Sequence, residues 1–453
     1  MLKARGPFPM ATLTARVIDV PPDPLLLAAA VADLPGAALL WSADGTGPSY
    51  VTCQPTQTVA ELDPEPGLAL DPGAGTLAAM PRWIGLLPYE SRRSLERPSK
   101  ASGPDLRASP HVIEPIWWRY GAVARITDHV LVAGDDREAV RDLSRLLRCA
   151  AASRLPGAPP QLTPRPEDEP SGAHLGRIER ALELIAKGEI YQVNLARRLR
   201  FTVAGSALEL LALLGRRARP AHGAAIAAEG LDVACTSPEL FLAVDPDRRV
   251  FTSPIKGTRP RGRDAPEDAA RVRELDADAK ERAELAMVLD VERNDLGRVA
   301  EVGSLRLSAP PRVSTHATVH HRSATLSARL RADVTRGALL EAMLPSGSVT
   351  GAPKIRAMEL IAELETSRRG LYTGALGFMS HDGGLRLAMS IRTLTVRDGE
   401  GHYFVGGGIV ADSDPERELE ETRWKALQLI GRSSPQKAQT REAYAGKALR
   451  AVE

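Results

Sequence analysis

A chain of 453 residues, 43% hydrophobic and 26% charged, has room for two or three domains or one large interwoven one, and can bury a sizeable core. Its 59 basic and 57 acidic side chains leave a net charge of +2, which excludes a global field for holding nucleic acid or an anionic membrane. Aromatics at 4% argue further against a base-stacking platform.

In chain order, residues 1–24 are Pro-rich and predicted extended. Leu25 to Ala32 is the longest early apolar run, too short to span a bilayer and flanked wrongly for a signal peptide. "GAALLWSADG", "WIGLLPY", "WWRYGAVARI" and "HVLVAGDD" read as strands, and "REAVRDLSRLL" reads as a helix. These form an N-terminal region over 1–153. Residues 154–172, dense in proline, read as a linker. The region 173–432 mixes helices at 173–187, 278–292, 337–343 and 354–366 with a strand pair at 372–379/385–397. A tail, 433–453, is weakly helical. Strands and helices do not alternate regularly. The expected fold class is therefore α+β, built on large, mainly antiparallel sheets.

Cys53, Cys149 and Cys235 show neither metal-ligand spacing nor a disulfide framework, which fits a reducing cytoplasm. Only 9 of the 59 basic residues are lysine, so a lysine inside a weakly charged motif is informative.

Two helices each carry a carboxylate pair at i, i+3 spacing. Glu281 and Glu284 lie in "KERAELAMVLD"; Glu418 and Glu421 lie in "ERELEETRWK", where Asp414 caps the start and Lys425 follows Glu421 by one turn. Taken singly, each pair reads more commonly as a solvated, salt-bridged face. Together they could offer oxygen ligands to Mg²⁺. "PSGSVTGAPK" and "GGGIV" match neither a phosphate loop nor a dinucleotide fingerprint, but both could turn backbone N–H groups toward a carboxylate, or be tight turns only. Glu239 in "CTSPELFL" and Lys256 in "SPIKGTRPRG" sit in apolar, turn-bounded contexts. Desolvation there would make the first an acid and the second a nucleophile; the plainer alternatives are a strand cap and a surface lysine. His320 and His321 could be satisfied structural residues.

As an ordered set, "GEIYQVNLARRL", "TSPELFL", "SPIKGTRPRG", "KERAELAMVLDVERNDLGRV", "VHH", "PSGSVTGAPKIRAMELIAELE", "RRGLYTGALGF", "LAMSIRTL" and "VGGGIVADSDPERELEETRWKAL" resemble the chorismate-utilising enzymes, a family that includes anthranilate synthase component I and aminodeoxychorismate synthase component I. The resemblance covers about residues 175–430 and is weak before them. It implies a two-sheet core wrapped by helices, with chorismate and Mg²⁺ between the sheets. It implies Glu284 and Glu421 as metal ligands with Glu281 and Glu418 beside them, and Glu239 as the acid for the C4 hydroxyl. It places Tyr372, Arg392 and Lys425 on the substrate carboxylates together with the backbone of Gly407 and Gly408. His321 falls near the ring, Thr350 in the turn beside substrate, and Thr258 in the lysine motif.

Lys256 in "PIKGT" resembles the aminodeoxychorismate synthases, where this lysine is thought to attack C2 of chorismate; anthranilate synthases usually carry alanine. Gln192 stands where isochorismate and salicylate synthases carry a water-activating lysine, which points to ammonia as the incoming nucleophile. None of the cysteine contexts resembles a glutaminase nucleophile, so a separate glutamine amidotransferase is the implied partner. Anthranilate synthase component I and a non-catalytic scaffold are the competing readings. Arg322 and Glu292 depart from the family pattern, standing where apolar residues are usual.

Overall fold

The computed structural model describes residues 11–64, 68, 70, 72–91, 107–152, 159–166 and 171–430. Two large sheets organise them, with 12 and 10 strands among the described residues, and the strand pairings within both are antiparallel. No helix among those residues is long and apolar enough to cross a membrane.

The first sheet runs from Thr14–Ile18 through Val130–Gly134, Val123–Ile126, Ser49–Thr52 and Ala37–Trp41. It continues through His222–Ala228, Leu231–Ser237, Thr393–Arg397 and Glu400–Ile409 to Gln192–Ala204 and the short Gly351–Ala352. The second runs from Ile255–Pro260 through Val319–Arg329, Arg249–Ser253, Leu240–Val244, Leu385–Met389 and Ala375–Ser380. It ends with Pro81–Leu87, Ile116–Arg119 and Gln57–Val59. The α+β class expected from the sequence is this architecture.

The two chain halves are interwoven. Ala37–Trp41 from the N-terminal region pairs with His222–Ala228, and Pro81–Leu87 pairs with Ala375–Ser380. The boundary at 153/173 is therefore not a boundary between sheets. Within the Pro-rich stretch, Gln161–Pro164 forms a strand on Gln192–Ala204, because one edge of that long strand is otherwise unpaired there. Residues 153–158, 167–170 and the tail 433–453 lie outside the described residues.

The expected helices form at Ser171–Ala186, Ala279–Gly297, Arg336–Met343 and Lys354–Leu364. One expected element is corrected: the strand predicted over 385–397 breaks. Arg392 adopts a left-handed backbone, φ 52°, and the chain passes from Leu385–Met389 in the second sheet to Thr393–Arg397 in the first. A similar change of sheet occurs at Ser237–Pro238–Glu239, between Leu231–Ser237 and Leu240–Val244. Both crossovers carry functional candidates. They are tied together where the Thr236 amide donates to the Arg392 carbonyl at 3.1 Å.

Candidate active site

The second sheet supplies the chemistry-bearing side chains. Ile255–Pro260 pairs with Val319–Arg329 through an irregularity between Lys256 and Thr258, where Gly257 takes φ +77°. The kink leaves Thr258 Oγ1 2.9 Å from His321 Nδ1. His321 is buried, and burial, then the nearby Arg392 charge, lower its pKa to about 3. The ring is neutral at physiological pH. Lys256 Nζ donates to the Ser348 carbonyl at 3.2 Å and stands 4.0 Å from Glu284.

Glu239 is buried at the first residue after its sheet change and accepts from Ser348 Oγ at 2.9 Å. Burial raises its pKa to about 7, with the Glu292 carboxylate adding to the shift. About half of it is then protonated near pH 7, where an ordinary glutamate would be ionised, and the protonated form suits an acid for a poor leaving group. Ser348 touches Lys256 with its carbonyl and Glu239 with its hydroxyl. Sequence reasoning treated its loop as a turn and missed this bridging role.

The first sheet supplies the surface opposite. Gln192, Gly407 and Gly408 lie on the paired strands Gln192–Ala204 and Glu400–Ile409, with Leu195 opposite Gly407 and Asn194 opposite Gly408. A Cβ on Gly408 would fall 2.4 Å from Gln192 Nε2, so any larger residue there would push the end of that side chain aside. Gln192 is 2% exposed, and among the described residues its Oε1 has no hydrogen-bond partner, so it is available as an acceptor. Tyr372 is buried and stacked on Phe404 with ring centroids 5.2 Å apart; a Cβ on Gly406 would fall 2.9 Å from its hydroxyl. Thr350 is buried and donates to the Ser346 carbonyl at 2.9 Å. Among the described residues the Arg392 guanidinium makes no hydrogen bond or ion pair, and burial lowers its pKa. A partly desolvated cation of this kind is suited to an incoming carboxylate.

The carboxylates arrive on two helices, Ala279–Gly297 against the second sheet and Pro415–Ile430 against the first. Asp414 caps the latter as expected, accepting from the Arg417 amide at 2.9 Å. Burial, and after the Lys256 charge also Glu281 and Glu418, act on Glu284, whose pKa is raised overall. Glu418 accepts from Ser413 at 2.7 Å, and its pKa is raised by burial, with Glu421 adding. For Glu421 burial pushes upward, but Lys425, at 2.6 Å, and more distant lysines outweigh it and hold the carboxyl low. Lys425 also donates to the Gly406 carbonyl at 2.7 Å. Glu281 lies 3.7 Å from Arg259. Among the described residues, no group of three or more His, Cys, Asp or Glu side chains converges tightly enough to hold a metal ion. The four carboxylates are instead spread across two helices with lysines between them. The donors are hard oxygens that repel one another, the type of ligand a hard divalent cation takes.

Three further sequence-stretch residues resolve as structural. Lys354, the lysine of the phosphate-loop lookalike, is buried on Asp295 at 2.7 Å. His320 is buried and bonded to Asp268 at 2.9 Å and Thr315 at 2.9 Å. Arg322, at a position usually apolar, reaches Asp276 at 3.0 Å. Sequence reasoning also missed Arg369. It is fully buried, pairs with Glu365 at 2.6 Å, and donates to the carbonyls of Val349 at 2.9 Å and Asn194 at 2.7 Å. It thereby braces the Thr350 turn against the strand that begins at Gln192.

The family described as chorismate binding enzyme matches residues 49–431. An aminodeoxychorismate synthase of Streptomyces griseus is 37% identical over 77% of this chain and 49% of its own length. Anthranilate synthase component 1 of Streptomyces coelicolor is 36% identical over 85% of this chain and 77% of its own. Aminodeoxychorismate synthase component 1 of Escherichia coli is 40% identical over 56% of each. The chain thus spans about half the length of two of these three relatives. In fold it is similar to anthranilate synthase component I of Streptococcus pneumoniae, with a TM-score of 0.67 at 24% identity over 94% of this chain and 93% of that one. The menaquinone-specific isochorismate synthase of Escherichia coli gives 0.68 at 21%, over 93% and 95%. With the family match running through both sheets and every motif around Glu239 and Lys256, the chain belongs to the chorismate binding enzymes.

Proposed function

We propose that the protein aminates chorismate to 4-amino-4-deoxychorismate, a step toward para-aminobenzoate and folate, with Lys256 as nucleophile and Glu239 as acid. The observation that carries this reading is Ser348, which holds the Lys256 amine by its carbonyl at 3.2 Å and the Glu239 carboxyl by its hydroxyl at 2.9 Å. The Lys256 amine forms a bond to C2, the ring double bonds shift, and the C4–O bond breaks. Glu239 gives its proton to the departing oxygen, which leaves as water. Ammonia then bonds at C4, the double bonds shift back, and the C2–N bond to Lys256 breaks.

Arg392, Tyr372 and Lys425 would orient the substrate carboxylates, with the Gly407 and Gly408 backbone beside them. Glu284 and Glu421, with Glu281 and Glu418, would hold Mg²⁺, which when bound supplies charge to a substrate carboxylate. Ammonia would come from a separate glutamine amidotransferase. In support, burial raises the Cys53 and Cys235 thiols to about 11, opposite to what a glutaminase nucleophile needs.

The test is to incubate the purified chain with chorismate, Mg²⁺ and ammonium and to weigh the product. The expected product is 4-amino-4-deoxychorismate, from ammonium and not from glutamine, with Lys256→Ala losing about a hundredfold or more in rate. Lys256→Arg is expected to fare no better, since guanidinium stays protonated. Identity to anthranilate synthase component 1 supports a second reading, and release of anthranilate with pyruvate would establish it instead.

A further inference from the structure

Glu292 lies more than two helical turns beyond Glu284 on the same helix, on a face directed into the protein, and is 1% exposed. A carboxyl buried this deeply is costly unless its oxygens are satisfied. Both are: Thr252 Oγ1 donates to Oε2 at 2.9 Å and Ser346 Oγ to Oε1 at 2.7 Å. Ser346 Oγ is in turn 3.0 Å from Ser348 Oγ, and Ser348 Oγ is 2.9 Å from Glu239 Oε1. An unbroken line of hydroxyls therefore connects two buried carboxyls. The spacing is fixed by close packing: Gly347, between the two serines, is so near the helix that a Cβ would fall 2.7 Å from Val291 Cγ1.

We propose that Glu292 is a positioning residue for the acid Glu239, and that the two carboxyls share protons along the Ser346–Ser348 line. This rests on the reading of Glu239 as the acid of the chorismate reaction. After Glu239 has given up its proton, the Ser346 hydroxyl turns from Glu292 toward Ser348 Oγ, 3.0 Å away; a protonated Glu292 then passes its proton to Ser346 Oγ as the Ser346 proton moves to Ser348 Oγ and the Ser348 proton to Glu239 Oε1. Three O–H bonds break, three form, and the negative charge moves from Glu239 to Glu292. Neither serine changes its net protonation.

The charged groups around the pair are few. Asp295 on the same helix and Lys354 from the helix Lys354–Leu364 face Glu292, and these two pair with each other at 2.7 Å. Lys256 faces Glu239 from Ile255–Pro260, and Arg392 faces it from the crossover between Leu385–Met389 and Thr393–Arg397. Burial raises the Glu292 pKa to about 7, like that of Glu239; the Ser346 and Thr252 hydroxyls oppose the rise and Asp295 adds to it. A negative charge on Glu292 makes Glu239 hold its proton to higher pH than it would beside a neutral side chain.

The test compares pH profiles of chorismate consumption at fixed free ammonia. Glu292→Gln removes one charge and keeps the volume. The limb on which rate falls with rising pH is expected to move down by about one unit, a roughly tenfold loss of rate near pH 8, with KM little changed. Glu292→Asp, which keeps the charge, is expected to restore the wild-type midpoint. A residue that only fills space would change KM or stability and leave the midpoint in place, and that result would overturn the proposal. Infrared titration of the buried carboxyl bands in the substrate-free protein provides a readout independent of turnover. Two coupled bands in wild type should become one band titrating at lower pH in Glu292→Gln. Independent titration of the two groups, unchanged by the substitution, would sink the proposal even if chorismate is consumed. A wild-type chain that ignores chorismate but shows the coupled bands would instead overturn the reading of the reaction.

Discussion

Glu239 shows how surroundings alone suit a common side chain to the acid role proposed for it. It differs from an exposed glutamate only in its surroundings, and those move its pKa from the carboxylate range to about 7. The acid is active when protonated, so at fixed free ammonia the rate of chorismate consumption is expected to fall as pH rises through about 7; Glu239→Gln should lack that limb and most of the rate. A pH–rate profile of the two proteins checks this. The metal candidates make a second case. Glu284→Gln or Glu421→Gln should cut turnover at limiting Mg²⁺ by about a hundredfold or more, since each removes a charged oxygen from a site with few alternatives. Mg²⁺ titration by calorimetry should show weakened binding; unchanged Mg²⁺ affinity in both variants would reassign the ligands.

At the scale of elements, the site depends on how closely strands can approach. The Gly406–Gly408 run leaves a bare stretch of Glu400–Ile409 opposite Gln192–Ala204, and the Gln192 side chain occupies the space that a Cβ on Gly408 would take. Gly408→Ala is therefore expected to displace Gln192 and lower kcat/KM by about tenfold or more while leaving the melting temperature within a few degrees. The Gly257 kink does similar service for Lys256 and Thr258. Without it Lys256 and Thr258, two apart, would point to the same face in regular alternation, and neither the Lys256–Ser348 nor the Thr258–His321 contact would be set independently.

For the whole molecule, the interwoven sheets mean that the N-terminal region cannot be removed as a unit. A chain beginning near residue 159 would leave His222–Ala228 and Ala375–Ser380 as open edges and strip cover from a shared core. Such a fragment is expected to aggregate on expression, which size-exclusion chromatography would show. The pH dependence of stability is also a property of the whole. His111, His174, His222, His321 and His381 are all held below their ordinary pKa by burial, to between about 3 and 4 where the shift is largest. Their contribution is present above the unfolded value near 6.5 and is lost as pH falls toward the folded values. Glu239 and Glu292, raised to about 7, act in the opposite sense, losing stability as pH rises from about 4.5. The five histidines outweigh them, so the melting temperature should drop as pH is lowered from about 7 to about 4, as calorimetry would record.

The sequence by itself determined the class of fold, the positions of the main helices and the family, and it supplied the candidate residues of the site. Those are carried by local patterns: i, i+3 carboxylates, glycine runs, turn-bounded acid and lysine. What it could not determine is where the chain changes sheet. The break at Arg392 lies inside a continuous apolar pattern, and only pairing with partners far along the chain shows that Leu385–Met389 and Thr393–Arg397 belong to different sheets. Ser346, Ser348, Arg369 and Glu292 were equally hidden. A serine in a turn or a glutamate in a helix acquires a role only from what tertiary packing puts against it, and Glu292, read by position as an apolar-site exception, meets Ser346 54 residues away. Burial is decided the same way, and with it every shifted pKa on which the chemistry depends.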